Sequence, residues 1–424
     1  MQYLAILICA MCCLISWQKE KNIYNPLAVM SGLWMVITVL TSMRLYGLYE
    51  ADSIVYLLIT VGIASFGLGC AVKRRTRFVI GSNQRRSSTG VIENIDVGRV
   101  KKTILHALCI LSVVMMIYPD YLAIKSLLSS GFDMSIIRSE FDMSYSNIVL
   151  RLIYNYIVLP FSFAAGPICA SVIFLSKRKD KIVIFSVGFI VFSRLINEGG
   201  RVIILYFLLS ILAAHAMTKS KKKKVKKRIS IYGLIAVCIY AVIAVTNSRT
   251  DQSLLEHGYS YLCGVVPHLS IRLKEVDSQG MLTYGTASVF GYVDFVFTML
   301  ENIGFPYPAF IKETSSLVNV VVQTTVPITS DKLMFNAFVS PFYYMYCDGR
   351  ILGVIIGMFV YGMVSFHFYK KLKDRKTYRN LSVYLLILQG LVFSFVRIQF
   401  AVVHYALAFF FFYLVFDNKN ANAH

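Results

Sequence analysis

No Walker or G-x-G-x-x-G fingerprint occurs in this chain, so the glycine loop that cradles nucleotide phosphates is missing. No Cys/His metal spacing appears among the cysteines, and no Asp-x-Asp pair is present. No internal repeat is visible, although the inverted halves of many transporters would show one. Charge is short on one side only: 22 acidic residues stand against 43 basic ones, a net charge of +21. That excess does not mark a nucleic-acid partner. The basic residues fall in short connectors, Lys73-Arg74-Arg75 with Arg85-Arg86, Lys177-Arg178-Lys179, Lys221–Arg228 and Lys370–Arg375. One threading of the chain makes all of these cytoplasmic, as the positive-inside rule requires. The charge is an orientation signal and a contact for anionic membrane lipids.

What fills the rest is apolar. Hydrophobic residues make up 57% of the chain and charged ones 15%, a balance outside the range of soluble domains. Phe and Tyr (30 and 27, against 2 Trp) supply the interfacial aromatics. The reading is an all-α polytopic membrane protein of about eleven spans. Met1–Trp17 lacks a basic leading region and a cleavage site, and reads as a retained first helix. Further spans are expected over Pro26–Met43, Ser53–Val72, Thr103–Tyr121, Ile148–Leu175, Ile182–Asn197, Arg201–Met217 and Ile229–Thr246. Ile351–Tyr369, Leu381–Arg397 and Gln399–Phe416 complete them. The organisation is 1–246 for the first eight helices, 247–350 for a large ordered outward loop, and 351–424 for the last helices and a cytoplasmic tail. A shorter outward loop is expected over Pro119–Asn147, and Val289–Leu300 in the large loop reads as an interfacial or re-entrant helix. Seven of the nine cysteines fall in spans; Cys263 and Cys347 lie in outward loops, and all are read as free.

Sorting arginines by side is informative. Arg138, Arg151, Arg194, Arg201, Arg249, Arg272, Arg350 and Arg397 all fall on or near the outward face, where topology predicts few. Arginine grips phosphate and carboxylate with a planar fork that lysine lacks. The outward face thus reads as an anion-binding surface, suited to a lipid diphosphate head group. Arg194, Asn197, Glu198 and Arg201 share a helical face, and Gly199-Gly200 lets a ligand approach the backbone. An internal Arg–Glu pair closing a helical hairpin is the structural alternative. For Arg249, Arg272 and Arg397 the alternative is interface anchoring. Arg397 and His404 are seven residues apart and face one cavity if their helix is continuous. The aromatic run Phe338–Tyr346 reads as an interfacial belt rather than a sugar platform.

In order, Gly199-Gly200-Arg201 opens an apolar helix, Arg249 follows the next span, and Tyr284-Gly285 opens the second half of the large loop. Then comes Asn336-Ala337-Phe338, followed by Pro341-Phe342-Tyr343-Tyr344 and by Tyr346-Cys347-Asp348-Gly349-Arg350-Ile351-Leu352-Gly353. This order resembles the bacterial oligosaccharide repeat-unit polymerases, the Wzy family of O-antigen and capsule polymerases. Asp348-Gly349 stands where Asp-Phe-Gly is common in that family. The resemblance covers roughly 180–370. It implies a GT-C-like architecture related to the O-antigen ligases and an active site on the outer face of the bacterial cytoplasmic membrane. The implied reaction transfers a growing glycan from undecaprenyl diphosphate to the non-reducing end of a lipid-linked repeat unit. A chain-length regulator and a flippase of the same pathway are the implied partners.

Within that frame Arg201, Arg249, Arg272 and Arg397 are the diphosphate-binding candidates, and Glu198, His268 and Asp331 the candidate general bases. No cofactor is expected, and no metal is required if arginines neutralise the leaving diphosphate. An O-antigen ligase is the nearest alternative, and a lipid-linked oligosaccharide flippase the alternative from another class.

Overall fold

The computed structural model describes residues 1–72, 97–129, 145–176, 178–198, 202–218 and 254–417. Helix α1 (Gln2–Glu20) leads into α2 (Pro26–Ser42), which opens on Pro26 with Asn25 Oδ1 accepting from Leu27 N at 2.9 Å. Next come α3 (Ser53–Ala71), a short strand β1 (Arg99–Val100) and α4 (Lys102–Ser129). Helix α5 runs Ile148–Leu175 with a π-helical turn at Tyr154–Val158, just ahead of Pro160. Then follow α6 (Lys181–Glu198), capped by Asp180, and α7 (Val202–Thr218). Four shorter helices, α8 (Leu254–Cys263), α9 (Val265–Gln279), α10 (Phe290–Asn302) and α11 (Ala309–Gln323), and a hairpin of β2 (Val326–Pro327) with β3 (Met334–Phe335) make one face of the molecule. The chain returns through α12 (Ser340–Asp374), α13 (Tyr378–Val392) and α14 (Val403–Val415). Strand β4 (Phe416–Asp417) then pairs antiparallel with β1.

Among the described residues, α1, α3, α4, α5 and α12 are long and apolar enough to cross a membrane, and α2, α7 and α14 are shorter apolar helices. The protein is an all-α membrane protein. The expected span Ile229–Thr246 and the basic run Lys221–Arg228 lie outside the described residues.

Three boundaries differ from the sequence reading, each for a backbone reason. Helix α4 does not end at Tyr121 but runs through Pro119 to Ser129. Proline has no N–H to give Met115 O, four residues back, and the Tyr145 hydroxyl takes that carbonyl instead. Helix α13 ends at Val392, short of Arg397: the backbone then closes into turns (Ser394 N to Leu391 O at 3.2 Å, Val396 N to Phe393 O at 3.0 Å), and Val396 O accepts from Val339 N (3.0 Å) and Ser340 N (3.4 Å). Arg397 and His404 are therefore not on one continuous helix.

The third boundary is the start of α12. Its first arm, Ser340–Asp348, precedes a break in which Gly349 and Arg350 leave helical geometry (Arg350 φ 54, ψ −139). The arms fold back on each other. A Cβ on Gly353 would sit 2.1 Å from Met345 O, and one on Gly357 2.7 Å from Met345 Cγ. On a straight helix residues 345 and 357 would be about 18 Å apart. Phe342, on the first arm, packs edge-on against Trp34 at 4.8 Å. Phe342 to Tyr346 are buried, so this part of the aromatic run is core, not an interfacial belt. The second arm lies directly on α3: a Cβ on Gly69 would meet Phe359 O at 2.1 Å, and one on Gly362 would meet Phe66 O at 2.2 Å. Cys263 and Cys347 are buried free thiols.

Candidate functional site

The short-helix face is built around α9. His268 is fully buried (0% exposed) and its Nδ1–H donates to Phe338 O at 2.8 Å. That leaves Nε2 as an acceptor, and Arg272 Nε donates to it at 3.0 Å. The remaining nitrogens of Arg272 (2% exposed) reach Glu275 at 2.7 Å and Thr324 O at 2.7 Å. One guanidinium thus ties α9 to the end of α11 and, through His268, to the segment before α12. Burial, reinforced by the Arg272 charge and opposed by the bond to Phe338 O, pushes the His268 pKa down to about 4. His268 is neutral, with both ring nitrogens engaged.

That state has a pH signature. Between about pH 4 and the ordinary histidine value near 6.5 the unfolded chain binds a proton that the folded one does not. Stability should therefore fall as pH drops through that window, by about 1 kcal/mol per unit. His268→Gln should flatten this slope in detergent melts recorded from pH 7 to 5. An unchanged slope would mean that His268 is not the group responsible.

Arg397 presents the opposite situation. It is half-buried, on irregular backbone between α13 and α14, with Ser340 bridged to it. Its charge is felt by Tyr344, yet its guanidinium makes no hydrogen bond or ion pair with any of the described residues. The structure thus gathers three expected site residues around the 338–340 segment: His268 on Phe338 O, Arg272 on His268, and Arg397 opposite Ser340. Asp331 is elsewhere, exposed on the β2–β3 turn, its carboxylate met only by Ser330 Oγ at 3.5 Å among the described residues. Arg201, Arg249 and the side chain of Glu198 lie outside the described residues.

The Asp348-Gly349-Arg350 stretch is a joint. Asp348 accepts from Thr283 Oγ1 (2.6 Å), Ala287 N (2.9 Å), Ser288 N (3.1 Å) and the Ser288 hydroxyl, which pins the turn before α10. Arg350 reaches Asp277 at 3.1 Å and Val276 O at 3.1 Å, with its guanidinium over the Tyr346 ring. These bonds hold a non-glycine residue at positive φ, where local strain is costly.

A second polar knot lies between the long helices. Asp120 (8% exposed), one residue past Pro119 on α4, accepts from Ser193 Oγ at 2.6 Å and from Asn197 Nδ2 at 2.5 Å. Both partners lie on α6, one helical turn apart, and both bonds end on the same oxygen, Oδ1. Beside them Arg194 donates to the Ser162 hydroxyl of α5 and stands over the Phe163 ring at 4.9 Å. Arg194 is within electrostatic reach of His404 on α14. Asp120 falls where the expected span Thr103–Tyr121 and the expected loop Pro119–Asn147 overlap, and sequence reading did not single it out. The available signal was a carboxylate one residue past a proline in an apolar run, facing a Ser-x-x-x-Asn pair on another.

Fold and site define an all-α membrane protein with two buried polar knots and one half-buried arginine that lacks a partner among its described neighbours. No family model, curated protein or solved structure matches the chain.

Proposed function

We propose that this chain is a polysaccharide polymerase with a GT-C-like arrangement of about eleven spans. It transfers a growing glycan from undecaprenyl diphosphate to a lipid-linked repeat unit at the outer face of the bacterial cytoplasmic membrane. The observation that carries the reading is Arg397. An arginine half-buried in a membrane protein without a protein counter-charge among the described residues calls for an anion. Its place beside the fold-back of α12 suits the diphosphate of a lipid whose tail stays in the bilayer.

In this reading the diphosphate leaves as a stabilised anion, and a fork of donors that binds it more tightly as charge develops lowers the barrier. Arg272 supports this from behind. Its donors to Glu275, Thr324 and His268 hold the segment that positions Arg397. The reading also retains Arg201 and Arg249 as further diphosphate ligands.

The test is a gel of surface glycan from a strain lacking the gene. A single repeat on the acceptor, with the ladder restored by the wild-type chain, is the expected result. Long lipid-linked polymer left unattached would replace the polymerase by an O-antigen ligase. Repeat units trapped on the cytoplasmic leaflet would replace it by a flippase.

A further inference from the structure

Resting on the polymerase reading, the geometry points to Asp120 as the general base that takes the proton of the acceptor sugar hydroxyl. Four observations converge on this residue.

The carboxylate is held by one oxygen only. Oδ1 accepts both bonds from α6, while Oδ2 accepts none among the described residues. A base needs this division, one oxygen fixing its orientation and the other keeping a lone pair for the incoming proton. Next, Asn197 is 1% exposed, and its Oδ1 is buried without a hydrogen-bond partner among the described residues. A buried amide carbonyl with no donor is costly, and a ligand hydroxyl would satisfy it. Neighbouring hydroxyls on a sugar ring would supply one donor to Asp120 Oδ2 and a second to Asn197 Oδ1.

Third, the surroundings connect this knot to the short-helix face. Tyr145, whose hydroxyl takes the carbonyl freed by Pro119, packs on Tyr154 at 5.5 Å. Tyr154 opens the π turn of α5, a departure from α-geometry often found at functional sites. From the same turn Tyr156 packs on Phe295 of α10 at 5.2 Å. Fourth, the other candidate bases are poorly placed or undescribed. His268 has both nitrogens engaged, and Asp331 is exposed on a turn.

In the step, the acceptor oxygen forms a bond to the anomeric carbon as its proton passes to Asp120 Oδ2. The bond from that carbon to the diphosphate oxygen breaks, and its electron pair leaves with the lipid diphosphate. The proton is afterwards released to water.

Azide separates this role from a staple between α4 and α6, because azide attacks the anomeric carbon without giving up a proton. The full chain in nanodiscs is supplied with a lipid-diphosphate-linked glycan donor and either the lipid-linked repeat or sodium azide. Asp120→Asn should lower transfer to the sugar on the order of a thousandfold, while azide transfer stays within a few-fold of wild type. Asn197→Ala should raise the acceptor KM about tenfold with azide transfer unchanged. Sugar transfer by Asp120→Asn within about tenfold of wild type, or loss of sugar and azide transfer together in a variant that still melts cooperatively, would overturn the assignment. If Asp120→Asn does not fold, Asn197→Ala decides: an unchanged acceptor KM overturns it. A wild-type chain that transfers to neither acceptor would sink the polymerase reading itself, a result distinct from all of these.

Discussion

Arg397→Ala should abolish most glycan transfer while leaving the protein as stable as before, or slightly more so. The expected loss in kcat is on the order of a hundredfold, the cost of removing one preorganised donor aimed at developing charge. The stability arm follows from the missing counter-charge. Truncating a paired, buried arginine strands its partner and destabilises, but Arg397 has no partner among the described residues to strand. Its removal relieves a desolvated cation. Arg397→Lys keeps the charge but loses the planar fork, so it should fall between, about tenfold down. Arg272→Ala is the contrast: it breaks contacts to His268, Glu275 and Thr324 together and should lower the melting temperature. Inorganic pyrophosphate gives a reading independent of turnover. It should stabilise the wild-type chain, by about 2.7 kcal/mol at a hundred times its Kd, and protect Arg397→Ala far less. A melting temperature that falls with Arg397→Ala, with pyrophosphate protection intact, would make this residue an anchor and remove the main support for the polymerase reading.

The apolar runs made the all-α membrane class and the longest helices legible. Ser53–Val72 and Ile148–Leu175 match α3 and α5 to within a residue, because long unbroken apolar runs admit few alternatives to a helix. What was not legible is where one helix yields to another part of the chain. The span over Thr103–Tyr121 reads as ending just past Pro119, yet Tyr145, distant in sequence, supplies the hydrogen bond that lets α4 continue. Ser340–Cys347 reads as the end of an outward loop, yet it is buried, with Phe342 against α2 and α3. The site shows the same division. The arginines that depart from the positive-inside pattern could be picked out in the sequence, but not which of them are already held by other residues. Arg272 is consumed in holding α9, Arg350 in holding a bend, and Arg397 in neither. That distinction depends on partners 52 and 74 residues away, which no local pattern encodes.

Gly353→Ala should be among the most damaging single-methyl changes in the chain, with Gly349→Ala as its matched control. At Gly353 the new Cβ would fall 2.1 Å from Met345 O. The obstacle is backbone, so no rotamer change relieves it, and the two arms of α12 must separate. Overpacking of this kind costs about 1–3 kcal/mol, and here it acts on the joint that seats Phe342 against Trp34. At Gly349, four residues earlier, a Cβ meets nothing within 4 Å and φ is −172°, which other residues adopt. The same methyl there should leave the melting temperature nearly unchanged. Transfer should follow stability in this pair. Opening the arms draws Ser340 away from the backbone of Val396 and Arg397, so the arginine loses its place before the bundle unfolds. Gly353→Ala should therefore lose activity at temperatures where it still shows a cooperative melt, whereas Gly349→Ala should keep both. If Gly353→Ala melts and turns over as wild type does, α12 is straight in solution. The contact between its first arm and Arg397 would then be lost as well, since a straight helix carries Ser340 and Gly353 about 20 Å apart.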